Sequence, residues 1–270
     1  MTQQPSFDRL KNIRIVLVHT SHPGNIGAAA RAMKNMGLSQ LCLVSPALYP
    51  SYEAYSRAAG ADDILNAAVV VESLQQAIGD CVWVAGASAR SRTIEWPVQT
   101  PAECALTGLD KTAEGDIAIV FGRERSGLTN EELAQCNALV HIPTNADYSS
   151  LNVAAAVQIL CYECRLAVLN EAPSAETPRS KKHRDDVAAS AGQLDGLYTH
   201  LYEALTSVSF FGTRESDVVM RRLKAVFNRA ALTQREVAIF RGICSAMQGK
   251  KMARIQKPGI QKSVTQKPEK

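Results

Sequence analysis

Ser149, Ser150 and Asn152 crowd the end of a polar loop, Thr144 to Ser149, that runs into a helix with small residues at Ala154, Ala155 and Ala156. A short apolar strand, Ala138 to Ile142, and then Pro143 lead into that loop. A loop feeding a helix N-terminus presents free backbone N–H groups and the positive end of the helix dipole to a ligand. The structural alternative is that Ser149 or Ser150 only caps the helix. Two further polar stretches, Asn25 to Arg31 and Phe121 to Leu128, favour a ligand site. So does the loop Gly86 to Thr93, which is too polar and too rich in small residues for mere connection. The loops among these follow apolar runs, and in an open α/β sheet ligands collect at the carboxyl ends of the strands.

Other chemistries are poorly supported. The first strand is followed by Gly24-Asn25-Ile26-Gly27, not by G-x-G-x-x-G, and there is no Walker A lysine loop. Cys161-Tyr162-Glu163-Cys164 is a lone C-x-x-C inside a helical pattern, which reads as buried small residues rather than zinc ligands. His19, His22 and His141 lack a paired acid at a suitable spacing and read as loop or core histidines.

The elements that must position these loops alternate. Strands are expected at Ile13–Val18, Leu41–Val44, Val69–Val71, Cys81–Ala85, Ile117–Phe121 and Ala138–Ile142. Helices are expected from Ile26 to Met36 with Asn25 as cap, from Tyr52 to Ala59, from Leu74 to Ile78, from Pro101, and on to Asn170. Thr129 with Glu132 makes a capping box. Hairpin signals are missing, so the sheet is expected to be mainly parallel with helices on both faces. Composition then shifts: 171–186 reads as a Pro-, Ser- and charge-rich linker. Three helical patterns follow, Val187–Phe211, Glu215–Arg229 and Gln234–Met247, the last with its own capping box at Thr233 and Glu236. Arg221, Arg222, Lys224 and Arg229 give the middle one a basic face, which composition alone reads as solvated.

Hydrophobic residues make up 46% of the 270 and charged ones 21%, enough to bury a core in one large domain or two unequal ones. The net charge is +4, yet Gly249 to Lys270 holds seven Lys or Arg against one acid and leaves the rest at −2. The basic character is thus a tail, suited to a polyanion or simply solvated. Seven scattered cysteines, an odd number, with no secretory signal, suggest a reducing cytoplasm. No apolar run is expected to reach membrane-spanning length.

S-H-P-G-N-I-G-A-A-A-R-A-M-K-N-M-G, then F-G-R-E-R-S-G-L-T-N-E-E-L, then Y-S-S-L-N-V-A-A-A-V-Q resemble, in order, the three motifs of the SPOUT-class, TrmH-like RNA ribose 2′-O-methyltransferases. The S-A-R-S-R-T loop and the helical extension resemble more specifically the TrmJ-type tRNA (cytidine/uridine-2′-O-)-methyltransferases, which act at nucleotide 32. The resemblance runs from about Asn12 to Ala246 and leaves out the tail.

The resemblance implies a Rossmann-like α/β domain over 1–170 whose part from about 116 to 170 is a deep trefoil knot, a feature that general topology rules disfavour. A 171–186 linker, a tRNA-binding helical extension over 187–248 and a disordered basic tail over 249–270 would follow. It implies S-adenosyl-L-methionine as cofactor, held by Ala87, Ser88, Ala89, Gly122, Arg123, Glu124, Leu128, Ile142, Ser150, Leu151 and Asn152. Leu128, Ile142 and Leu151 would be the apolar walls. Arg31 would act at the 2′-OH, Ser150 would orient it or the ribose, and Asn25, Glu124 and Asn152 would hold the site together. For Glu124 an ion pair with a neighbouring Arg is the structural alternative. Arg31, Arg90, Arg92 and Arg123 would take RNA phosphates. The implied partners are tRNA and a second copy in a cytoplasmic homodimer, with no membrane and no required metal. An enzyme for another tRNA nucleotide or for rRNA, or a non-catalytic RNA-binding protein on the same fold, are the competing readings.

Overall fold

The computed structural model describes residues 7–88, 98–170, 187–212 and 215–249. A 3-10 turn, Phe7–Asn12, enters β1 (Ile13–Val18), followed by α1 (Pro23–Met36), β2 (Gln40–Val44), α2 (Tyr52–Ala58), α3 (Asp62–Asn66), β3 (Val69–Val71) and α4 (Leu74–Ile78). Then come β4 (Trp83–Ala87), β5 (Val98–Gln99), α5 (Pro101–Lys111), β6 (Ile117–Phe121), α6 (Asn130–Leu133), β7 (Ala138–Val140) and α7 (Val153–Asn170). The extension is α8 (Ala191–Ser207), α9 (Ser216–Ala230) and α10 (Gln234–Met247).

The strands form one sheet in the order β3-β2-β1-β6-β4-β7-β5, and every ladder in it is parallel. The period of two divides the strands between two cores. Ile13, Ile15 and Leu17 of β1, with Ile117, Ile119 and Phe121 of β6, face the core covered by α1, α5 and α7. Val16, Val18, Ala118 and Val120 face the other core, with Leu74 and Ile78 of α4 and Leu133 of α6. Both faces are buried, which is why β1 and β6 read as nearly unbroken apolar runs. The first core depends on small residues: a Cβ at Gly27 of α1 would lie 1.9 Å from the Ala54 carbonyl oxygen of α2.

Several boundaries differ from expectation. Helix α1 begins at Pro23, not Ile26, because proline suits the first helical turn, and Asn25 is therefore inside the helix rather than its cap. The fourth strand starts at Trp83, since the Cys81 N–H still bonds back to the Ile78 carbonyl at the end of α4. The last strand stops at Val140 instead of Ile142. The first extension helix begins only after Ser190, whose capping box with Gln193 sets its start. The expected capping boxes of α6 and α10 are present. Helix α7 also corrects an expectation: at 18 residues and mean hydropathy 1.4 it is long and apolar enough to cross a membrane. Here it is a core helix, with Val157, Leu160, Cys161, Cys164 and Val168 buried against the sheet side. All seven cysteines are buried and none is in a disulfide, and burial pushes the Cys104 and Cys136 thiols up to about 12.

The extension docks on the second face of the sheet. The Ala191 and Gly192 N–H groups donate to the Cys81 and Gly79 carbonyls at 2.9 and 3.0 Å. Asn228 of α9 is the central polar contact and only 4% exposed. Its Nδ2 donates to the Ala134 and Cys136 carbonyls at 2.9 and 3.3 Å, and its Oδ1 accepts from the Tyr198 hydroxyl at 2.6 Å. Replacing Asn228 by Ala removes all three bonds inside a buried interface. The expected cost is about 1–3 kcal/mol of stability, read as a lower thermal midpoint. An unchanged melt would mean that the contact contributes nothing.

Candidate functional site

Glu124 gathers the segments that leave two neighbouring strands. It follows β6, and its Oε2 accepts from the Ser21 N–H at 3.1 Å and the Ser21 hydroxyl at 3.0 Å, both beyond the end of β1. Its Oε1 accepts from the His22 N–H at 3.3 Å and from Asn25 Nδ2 at 2.9 Å. Asn25 Oδ1 in turn accepts from Asn152 Nδ2 at 2.9 Å. Burial alone would raise the Glu124 pKa. The hydrogen bonds from Asn25, from its own backbone and from Ser21 outweigh that and hold the carboxyl down at about 2, so it is ionised at neutral pH. Among the described residues no arginine donates to it, and the carboxylate is held by hydrogen bonds.

Asn152 also settles what caps α7. Its Oδ1 accepts from the Ala154 N–H at 2.9 Å and the Ala155 N–H at 3.4 Å, so the capping oxygen comes from Asn152 and not from Ser149 or Ser150. Both serines are exposed. One asparagine thus ends a loop, starts a helix and ties both to α1.

A cleft of about 250 Å³ opens beside this network at the carboxyl ends of β4, β6 and β7. Ala87 and Ser88, then Gly122 to Gly127, then Ile142, Thr144 and Ser149 to Leu151 line it. Two details shape its walls. The Ser88 N–H donates to the Val140 carbonyl at 3.0 Å, joining the end of β4 to β7. The 122–127 turn closes on itself, with the Gly127 N–H on the Arg123 carbonyl at 2.9 Å. A Cβ on Gly122 would lie 2.2 Å from the Gly127 carbonyl carbon, so only glycine fits there. The lining pairs apolar Ile142, Leu151 and Val153 with hydroxyls from Ser88, Ser126, Thr144, Ser149 and Ser150. Such a mixture suits a ligand with a flat apolar ring and several polar groups.

Residues 12–162 match the SpoU rRNA Methylase family, and residues 192–258 match the C-terminal domain of the tRNA methyltransferase TrmJ. The chain belongs to the SpoU methylase family. It is 47% identical to the tRNA (cytidine/uridine/adenosine-2′-O-)-methyltransferase TrmJ of Pseudomonas aeruginosa strain UCBPP-PA14, over 88% of this chain and 95% of that one. It is 44% identical to the tRNA (cytidine/uridine-2′-O-)-methyltransferase TrmJ of Escherichia coli K12, over 88% of this chain and 96% of that one. Among solved structures, TrmJ from Z. mobilis ZM4 aligns with a TM-score of 0.74 at 30% identity, covering 87% of this chain and 98% of the other. This SpoU-type chain is therefore a methyltransferase, and its fold is the SPOUT α/β architecture with an all-α extension.

Within that fold the expected site residues divide. Ala87, Ser88, Gly122, Arg123, Glu124, Ile142, Ser150 and Leu151 line one cleft, and Asn25, Glu124 and Asn152 form one network. Leu128 is placed otherwise: its side chain is buried in the second core, behind the turn. Arg123 lines the cleft, yet its guanidinium is engaged by both carboxylate oxygens of Glu132 at 3.0 and 3.1 Å, so it braces the turn to α6 rather than offering a free cation for phosphate. Arg31 is exposed on α1 and does not line the cleft. Six residues beyond Asn25, it stands roughly 9 Å further along the helix and about 240° around it. Ala89, Arg90 and Arg92 lie outside the described residues, as do the 171–186 linker and 250–270 of the tail. Sequence reasoning missed Arg125, an exposed arginine on the cleft wall, and Ser21, whose hydroxyl and N–H both reach Glu124. Both sit inside the quoted motifs, and only the turn geometry separates Arg125 from Arg123.

Proposed function

We propose that this chain transfers a methyl group from S-adenosyl-L-methionine to the ribose 2′-oxygen of a cytidine or uridine at nucleotide 32 of a tRNA anticodon loop. The observation that carries this reading is the Glu124–Asn25–Asn152 network at the mouth of a cleft lined by apolar and hydroxyl groups. The names of the two relatives above, both tRNA 2′-O-methyltransferases, support the substrate class. Bound in the cleft, S-adenosyl-L-methionine would supply an activated methyl on a sulfonium. Ala87, Ser88, Gly122, Ile142, Ser150 and Leu151 would hold it.

A ribose 2′-OH is a weak acid and must lose its proton as it attacks, so the protein's tasks are positioning and proton handling. A guanidinium stays protonated in proteins, so Arg31 does not serve as the base. Its role is to stabilise the developing alkoxide and orient a phosphate, with Ser150 orienting the ribose or Arg31. RNA phosphate or water then accepts the proton.

The active form is a cytoplasmic homodimer whose partner subunit completes the RNA site. Arg31 stands away from its own cleft, which supports completion by a second copy. Tyr162 and Leu169 of α7 and Leu106 of α5 are exposed apolar residues suited to that contact. The deep trefoil knot belongs to the same reading, with α7 returning against α1 and α5 after β7.

The test is transfer of labelled methyl to unmodified tRNA transcripts, with the modified nucleotide mapped. A 2′-O-methyl pyrimidine at nucleotide 32 is expected. Label elsewhere would keep the reaction and discard the position, and no label despite RNA binding would discard the reaction.

A further inference from the structure

The loop after β7 carries an aromatic ring that none of the described residues covers. Tyr148 is 81% exposed. Its loop is nevertheless organised by local bonds. The Asp147 N–H donates to Asn145 Oδ1 at 3.1 Å, the Tyr148 N–H to the Asn145 carbonyl at 3.0 Å, and the Thr144 hydroxyl to the Ser149 carbonyl at 3.3 Å. The loop is thus a formed turn that projects its tyrosine into solvent. Its two ends, Thr144 and Ser149, line the cleft, which places Tyr148 at the rim. Tyr52 is even more exposed, at 90%, but no residue of α2 lines the cleft. On the facing turn Arg125 is exposed, whereas Arg123 is held by Glu132.

An enzyme that methylates a 2′-oxygen within a loop must present the ribose and pull its base away from its stacked neighbours. A side-chain ring that takes over the stacking offsets that cost, and a nearby cation fixes the backbone. We propose that Tyr148 is the platform on which a nucleobase of the substrate strand stacks, with Arg125 pairing with that strand's phosphate. The proposal rests on the RNA-methylating reading above and adds two substrate-positioning residues to it. Stacking on a π-face tolerates every base, whereas edge hydrogen bonds do not. That fits a family of relatives whose names include cytidine, uridine and, in one case, the larger adenosine.

The full chain is assayed with tRNA transcripts as Tyr148→Phe, Tyr148→Leu and Tyr148→Ala. Tyr148→Ala is expected to lower kcat/KM for tRNA about ten- to a hundredfold, and Tyr148→Phe to stay within about twofold of wild type. Tyr148→Leu should resemble the alanine variant, because an apolar side chain without a ring cannot stack. S-adenosyl-L-methionine affinity, measured by calorimetry, should be equal in all four proteins. With 2-aminopurine at nucleotide 32, wild type and Tyr148→Phe should quench its fluorescence and the other two should not. Arg125→Gln should weaken tRNA binding and flatten the slope of log affinity against log salt by roughly one. Wild-type activity in Tyr148→Ala, full activity in Tyr148→Leu, or loss accompanied by dissociation of a dimer in sedimentation would overturn the stacking role while methyl transfer by wild type still stood. Failure of wild type to methylate any tRNA would overturn both readings together.

Discussion

Glu124→Ala is expected to reduce tRNA methylation about a hundredfold, because misplacing a reacting group by roughly 1 Å costs that much. The carboxylate does not need to touch the substrate for this effect. It accepts from Ser21 twice, from the His22 N–H and from Asn25, so it fixes the start of α1 against the turn after β6. Without it Asn25 loses one partner and Asn152 is left holding an unanchored side chain. Glu124→Gln should rescue only part of the activity. Its oxygen can accept from one pair of donors, but its NH2 then faces the other pair, in which a backbone N–H can only donate. The pH dependence carries a sign that can be checked. The folded-state pKa lies at about 2, below the ordinary 4.5, so the network's contribution is complete above about pH 4.5 and drains away as pH falls toward 2. Solvent screening of this partly exposed group limits that contribution to about 1–2 kcal/mol. Urea midpoints measured across that window should therefore fall more steeply for wild type than for Glu124→Gln. Glu124→Ala with unaltered kcat/KM would remove Glu124 from the site.

The parts that could be read from residues alone share a physical cause. Strands β1 and β6 are buried on both faces, so an unbroken apolar run marks their ends to the residue. Helices α4 and α10 begin after capping boxes, and there too the expected starts and ends hold. Elements without such signals were harder to read: α3 has five residues and β5 only two, and both follow from tertiary packing rather than from local pattern. Asparagine misled for another reason. Its amide can cap a helix or join a buried network, and composition does not say which. Asn25 looked like a cap and belongs to the network, while Asn152 does both. The arginines show the same limit. Arg123 and Arg125 are two residues apart in one motif, yet the turn directs the first to Glu132 and leaves the second exposed on the cleft. Residue type named the candidates, and the tightness of the Gly122–Gly127 turn assigned them.

Arg31→Ala should lower methyl transfer about 10²–10³-fold, the usual cost of losing one group that stabilises charge developing in a transition state. Its folding should survive, since Arg31 is exposed on α1 while the face carrying Ile26, Ala30 and Met33 makes the core. S-adenosyl-L-methionine affinity should survive as well, because Arg31 does not line the cleft of its own chain. Arg31→Lys discriminates between roles. A lysine keeps the positive charge but not the planar fork, so it should restore phosphate attraction and little of the alkoxide stabilisation. A variant with near-normal tRNA affinity and a low kcat would therefore place Arg31 at the reacting oxygen, and the reverse split would place it on the backbone alone. Mixing inactive Arg31→Ala chains with inactive Glu124→Ala chains adds a second arm. If Arg31 works at the partner's cleft, a mixed dimer has one cleft with an intact Glu124 network served by an intact Arg31, and activity should reappear at about a quarter of the wild-type level when equal amounts exchange at random. Two inactive variants that stay inactive after verified exchange would place Arg31 at the cleft of its own subunit.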